Sequence, residues 1–250
     1  KNFRDVYGEV DVLLREKYKG RIGSGIFNDI KRLWATEPLG YVVGHTSFCG
    51  AKIDLSEKTI VPRPETEWWV LKAVSEISQD KKHGFRCLDM FAGSGCVGIA
   101  ILKFFDDAQV DFVDIDDKAI RQIEKNLKIN GFTADRARIV KSDIFENIND
   151  QYNYILANPP YVPESIKNRV FTSSLKYEPH IGLFGGRDGC GPLFLFLKKA
   201  REHLNAGGKM WIEFVEILSY QRETIEAFLL EAGYGNFIFE NDESGRLRYL

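Results

Sequence analysis

The sequence predicts an α/β fold: a mainly parallel, seven-stranded sheet with helices on both faces and an antiparallel last strand. Three observations lead there. After Glu65, short apolar runs alternate with stretches of helical period, and strands that alternate with helices build parallel sheets covered on both sides. The last two strand-like runs, NFIFE and RLRYL, are separated only by ENDESG, too short for a crossover, so the final strand returns antiparallel. A chain of 250 residues with 44% apolar residues supports one full core and at most a small appendage.

That appendage is predicted at the start. Val6, Val10, Leu13 and Leu14, then Ile26, Ile30, Leu33 and Trp34, repeat at helical spacing on either side of the breaker GRIGSG, which reads as a helical hairpin over residues 1–36. Between 37 and 64 the strand-like stretches YVVGH, SFCGAKIDL and KTIVP, punctuated by Gly44, Gly50 and Pro62, predict a β-hairpin linker.

Residues 65–250 form the main domain. A helix carrying Val70, Ala73, Val74 and Ile77 leads to the strand FRCLDM, a glycine-rich turn, and a helix from Val97 to Phe105. The strand VDFVD, a helix with Ile120, Ile123 and Leu127 that closes at Gly131, and the strand ARIV follow. Then come YNYILAN, a helix opened by Pro192 and stopped by Gly207 and Gly208, KMWIEF, a helix with Ile225, Phe228 and Leu229 stopped at Gly233, and the closing pair.

Composition narrows the function. With 34 Lys and Arg against 36 Asp and Glu, the formal charge of -2 gives no strong electrostatic footprint for nucleic acid. Cys49, Cys87, Cys96 and Cys190 lie far apart, and the four histidines are equally scattered, so neither a metal site nor a disulfide framework is suggested. Reduced thiols point to a cytoplasmic compartment or an organellar matrix. No apolar stretch reaches the length of a membrane span, and KNFRDVYGEV lacks the apolar core of a signal peptide.

The turn LDMFAGSGCVGIA places Gly93, Gly95 and Gly98 between a strand and a helix, where bare backbone can approach a ligand. Alone, the triplet is a weak signal, since a tight turn wants glycine for steric reasons. Asp114 strengthens it: it ends the next strand, 21 positions beyond Gly93, where a carboxylate can accept both ribose hydroxyl hydrogens. As a plain surface acid it would instead favour the following helix dipole; the agreement of spacing and turn favours the ribose. Asp143 ends the third strand and either reaches an adenine amino group or starts an Asx turn. Asp89, just before the turn, would oppose a pyrophosphate and tolerate a sulfonium.

ILANPPYVPE stops an apolar strand at Asn158, at the carboxyl end where parallel sheets bind ligands. Pro159 keeps Asn158 out of helical geometry, and the two prolines fix φ and donate nothing, leaving carbonyls free to accept. An amide nitrogen is a poor nucleophile. If the Asn158 side-chain oxygen and the Pro159 carbonyl each accept one of its hydrogens, it is held toward an electrophilic methyl, a positioning effect worth up to ~7–11 kcal/mol. Tyr161 offers a flat wall for the planar group. A plain turn after a buried strand is the bland alternative; the glycine turn favours the clamp.

Together, EPLGYVVG, IVPRPETE, LDMFAGSGCVGIA, VDFVDIDDKAI, SDIFENI, ILANPPYVP, EPHIGLFGGRDG and DESGRLR resemble the HemK/PrmC protein-(glutamine-N5) methyltransferases, from about Glu37 to the C-terminus. The resemblance implies a Rossmann-like class I S-adenosylmethionine-dependent methyltransferase fold. Its implied activity is methylation of the glutamine in the Gly-Gly-Gln loop of a peptide-chain release factor, with no metal. It implies that Phe91, Ala92, Gly93, Ser94 and Gly95 line S-adenosylmethionine, that Asp114 with Ile115 holds its ribose, and that Asp143 with Ile144 frames the adenine. Asn158, Pro159, Pro160 and Tyr161 match the glutamine-binding motif, Asn158 also bordering the cofactor. Pro62, Arg63, Pro64 and Glu65 match a loop approaching the site; Arg63 contacts substrate or makes a salt bridge to Glu65 or Glu67. Relatives carry a longer N-terminal helical domain than residues 1–36, which docks the protein partner.

Two other readings compete. An amino-methyltransferase for adenine in DNA or guanine in RNA could use the same clamp, but would show basic clusters. A non-catalytic adenosine or dinucleotide binder would leave the elbow purely structural.

Overall fold

The structure, a computed structural model, describes residues 3–218, 220–243 and 245–250. The N-terminal hairpin is present as α1 (Phe3–Glu16) and α2 (Ile26–Trp34). Leu13 and Leu33 bury against Val42 of a short helix, α3 (Leu39–Val43). YVVGH, expected as strand, is thus mostly helix: Pro38 precedes its first turn and Gly44 ends it at φ +97°, so two breakers confine a single helical turn despite its valines. Buried Asp29 fixes this corner, pairing with Lys17 (2.7 Å) and Arg32 (3.1 Å) and accepting from Tyr18 (2.9 Å). Arg32 also grips Glu37 through two 2.8 Å hydrogen bonds, which hold that carboxyl below its usual range.

The hairpin consists of β1 (His45–Phe48) and β2 (Ala51–Asp54), joined through Cys49 (φ +48°) and Gly50 (φ +71°). Positive φ at both loop residues is the turn whose twist suits two paired strands. KTIVP adds no third strand and runs as irregular chain into α4 (Pro64–Gln79). The hairpin is docked on the main domain through amides: Asn126 accepts from the Asp54 N–H (2.7 Å) and Gln122 from the Glu57 N–H (2.8 Å).

Five parallel strands follow: β3 (Arg86–Met90), β4 (Gln109–Asp114), β5 (Ala137–Lys141), β6 (Tyr152–Ala157) and β7 (Leu204–Ile212). Their spatial order is β5-β4-β3-β6-β7. Side chains alternate across the sheet. Cys87, Phe112 and Leu156 face α4, α5 (Cys96–Phe104) and α6 (Asp117–Ile129), while Leu88, Val113 and Ile155 face α8 (Gly191–Ala200) and α9 (Gln221–Glu231). A short α7 (Thr172–Tyr177) lies in the segment after β6.

The other two strands expected in the sheet form an antiparallel ribbon, β8 (Glu240–Asn241) with β9 (Leu247–Tyr249), attached to the end of β7 by the antiparallel Glu213–Tyr249 bridge. Most of NFIFE is irregular; its Phe237 and Phe239 meet edge to face and pack on the α8–α9 side of the core. The helix opened by Pro192 also ends earlier than its glycines suggested. β7 begins at Leu204 and takes in Gly207 (φ +70°) and Gly208 within an irregular pairing with β6.

Candidate active site

The strand order juxtaposes what the sequence separates. β3 lies between β4 and β6, with Met90 opposite both Val113 and Ala157. The glycine turn, Asp114 and Asn158 therefore emerge side by side at the carboxyl ends of neighbouring strands, at the switch point where the order reverses.

Two carboxylates shape the turn. Asp114, half-buried, accepts from the Gly93 N–H (2.8 Å) and the Asp116 N–H (2.9 Å), and burial holds its carboxyl above the ordinary value. Asp89 is fully buried beneath the turn and accepts from the Gly98 N–H (2.8 Å); burial pushes its pKa well up. The sequence placed Asp89 beside the ligand as an anion, whereas the structure makes it an organiser of the first turn of α5. Both contacts tie up N–H groups that a pyrophosphate cradle would need, so the turn suits a ligand that accepts little from it.

The turn residues divide. Ala92 and Ser94 are buried, and the Ser94 carbonyl accepts from Asn126 (2.8 Å), while Phe91 and Gly93 are half-exposed. Gly93 (φ +55°) and Gly95 (φ +77°) occupy left-handed backbone, and a Cβ at Gly95 would press on Ile123 at 3.2 Å. Phe91 also has positive φ (+60°), a strained choice for a bulky residue, offset by its edge-to-face contact with Phe196. Ile115 is exposed beyond Asp114. Asp143 is exposed, and its neighbour Ile144 (φ +50°) is half-buried against the core below.

At the elbow, the Asn158 N–H lies 3.4 Å from the Met90 carbonyl, and among the described residues its half-exposed side-chain amide has no protein partner. Pro159 is buried and Pro160 half-exposed. Tyr161 is more than a wall. Its hydroxyl donates to Glu213 (3.1 Å), its ring meets Phe214 edge to face, and burial with the adjacent carboxylate raises its pKa well above the ordinary value. The segment FGGRDG backs this corner: Gly185 donates to the Val162 carbonyl (3.0 Å), and a Cβ on Gly185 or Gly189 would collide with the Pro160 or Tyr161 carbonyl.

Sequence reasoning missed Glu213. It follows β7, buried, with its N–H on the Ala157 carbonyl (2.8 Å), and an acid closing the apolar run KMWIEF was the available signal, the same one that exposed Asp114. Arg63 pairs with neither Glu65 nor Glu67. Its guanidinium donates to both oxygens of Glu178, at 2.7 and 2.5 Å, and Glu178 is buried at the start of EPHIGLFGG. Glu67 instead accepts from the Cys49 N–H (2.5 Å).

A family profile described as "Methyltransferase small domain" matches residues 73–175. The chain is 32% identical over 222 residues to the release factor glutamine methyltransferase of Flavobacterium psychrophilum, covering 86% of this chain and 74% of that one. The chain belongs to the release factor glutamine methyltransferase family. The family member from Leptospira interrogans is 30% identical, over 98% of this chain and 83% of its own. The ribosomal protein uL3 glutamine methyltransferase of Francisella tularensis is 31% identical over 73% of this chain and 58% of that one. Among solved structures, a methyltransferase from Pyrococcus furiosus superposes with a TM-score of 0.58 at 19% identity, over 89% of this chain and 96% of that one. That likeness bears on the fold, and family and fold together imply S-adenosylmethionine as methyl donor. Among the described residues, no helix is long and apolar enough to cross a membrane, and no group of three or more His, Cys, Asp or Glu could hold a metal ion.

Proposed function

We propose that this protein methylates the side-chain amide nitrogen of the glutamine in the Gly-Gly-Gln loop of a peptide-chain release factor, with S-adenosylmethionine as donor and S-adenosylhomocysteine as product. Family membership supports the substrate class. The observation that carries the chemistry is the unpaired Asn158 amide standing beside the glycine turn across one strand pairing.

Bound S-adenosylmethionine supplies an electrophilic methyl on a sulfonium. Phe91 to Gly95 lie along its tail, Asp114 accepts from its ribose with Ile115 covering the sugar, and Asp143 and Ile144 border the adenine. A ligand rich in donors and poor in phosphate fits a turn whose Gly93 and Gly98 N–H groups are already engaged by carboxylates. Asn158 and the Pro159 carbonyl accept the two amide hydrogens of the glutamine, and Pro160 and Tyr161 shape the slot. Holding a weak nucleophile at near-attack distance replaces strong base catalysis: the N–C bond forms as the S–C bond breaks, and the nitrogen's surplus proton leaves to water. Arg63, fixed by Glu178, sets the loop 62–65 at the substrate side. Residues 1–36 dock the protein partner, 37–64 link them to the main domain, and 65–250 carry the chemistry.

The test is mass spectrometry of release factor incubated with enzyme and donor. A gain of one methyl on the Gly-Gly-Gln peptide is expected. A gain on ribosomal protein uL3 alone would move the substrate, and transfer to nucleic acid alone would overturn the reading.

A further inference from the structure

One buried carboxylate connects the start of α4 to the substrate elbow. Thr66 donates to Glu213 Oε2 at 2.7 Å, and the Trp69 indole N–H donates to the same oxygen at 2.6 Å. Oε1 receives the Tyr161 hydroxyl at 3.1 Å. The Glu213 main chain pairs with Ala157, the residue before Asn158. Thr66, Trp69 and Glu213 are all buried, so each of these groups depends on the others for its hydrogen bonds.

Three donors converging on one carboxylate fix both its rotamer and the direction from which the phenol approaches. Between Tyr161 and Asn158 stand two prolines, whose φ values are locked by their rings. Anchoring the tyrosine therefore leaves little freedom to the Pro159 carbonyl two residues upstream. Gly185 and Gly189, packed against the Pro160 and Tyr161 carbonyls, leave these little room to move toward them.

We infer that Thr66 and Trp69 are positioning residues for methyl transfer: by orienting Glu213 they hold Tyr161, and through it the acceptor pair Asn158–Pro159. This deepens the reading above and gives the threonine of PETE a task. The Thr66 and Trp69 side chains reach the chemistry only through the intermediate carboxylate.

The experiment is hydrogen–deuterium exchange on the full chain, followed at Asn158 and Val162, whose N–H groups are bonded to the Met90 and Leu183 carbonyls. Wild type is compared with T66V, T66S, Y161F and the T66V/Y161F double variant. T66V is expected to speed exchange at these amides roughly tenfold, the equivalent of one lost hydrogen bond. T66S restores protection, and T66V adds little in the Y161F background because the route through the phenol is already cut. In transfer assays kcat falls in T66V while donor affinity stays near wild type. Equal increments in both backgrounds, unchanged exchange at the elbow, or faster exchange spread evenly over β3, β4 and β7 would overturn the inference. The exchange readout does not depend on the acceptor: failure to methylate release factor with the coupling intact would sink the substrate assignment and spare this one.

Discussion

The Gly93 N–H donates to Asp114 at 2.8 Å, so the carboxylate that closes β4 also holds the turn that follows β3. An Asp114→Asn exchange replaces an acceptor-only group with one that is half donor. Donor affinity should fall about 10- to 100-fold by calorimetry, as expected when a charged hydrogen-bonding partner is lost.

The same residue sets a pH dependence. Burial raises the Asp114 pKa, and the ionised form is the one proposed to accept from the ribose hydroxyls. Affinity for the donor should therefore strengthen as pH rises through that raised value and level off above it. In Asp114→Asn the profile should be flat over the same interval. The sign for folding is opposite: a carboxyl with raised native pKa stabilises less as pH increases, because the native state then gives up a proton it holds more tightly than the unfolded chain.

Asn158→Ala removes one of the two acceptors proposed for the glutamine amide. Methyl transfer to the Gly-Gly-Gln peptide should drop by at least about 100-fold in single-turnover assays, while donor affinity changes little. A comparable loss of donor binding would mean that Asn158 serves the cofactor first.

Gly185→Ala drives a Cβ into the carbonyls of Gly189 and Pro160, neither of which is a flexible side chain. The elbow must shift to admit it. Transfer should fall about 100-fold, the expected penalty for a displacement near 1 Å, with the donor site intact by calorimetry.

Asp150 lies between Arg86 (2.8 Å) and Arg138 (2.5 Å), which hold its carboxyl down to about 2. A depressed native pKa gives stability that is present above the ordinary aspartate value of 3.8 and lost as pH falls toward 2. Urea midpoints followed from pH 5 downward should decline less steeply in Asp150→Asn than in wild type. Because this site lies near the amino ends of the strands, donor affinity at neutral pH should be unaffected.

Much of the candidate site's layout was legible because its signals are local. A glycine turn, the acid one strand later and a proline-locked asparagine each announce themselves within a few residues, and the alternation of apolar runs marked the sheet. What stayed hidden depends on contacts between distant parts of the chain. Glu178 lies 115 residues from Arg63, and Glu213 lies 52 from Tyr161, so no spacing rule pairs them. The sequence could offer only Glu65 or Glu67 as ion-pair partners for Arg63, because nearby charges are all that a linear text offers. α3 illustrates a different failure. Its two valines favour strand, but Pro38 and Gly44 bracket it and Val42 is drawn into the N-terminal cluster, so tertiary burial overrides propensity.

The seam where β3 meets β6 splits the candidate site between two stretches of chain. Most residues proposed for the adenosyl end follow β3, β4 and β5, and the Asn158–Tyr161 elbow proposed for the amide follows β6, beside Glu213 at the end of β7. The register of Met90 against Ala157 sets how the two sides meet. With the proposed donor and acceptor sites on adjacent strands, a slip of one residue along that pairing would pull the methyl and the amide apart by about 3.3 Å.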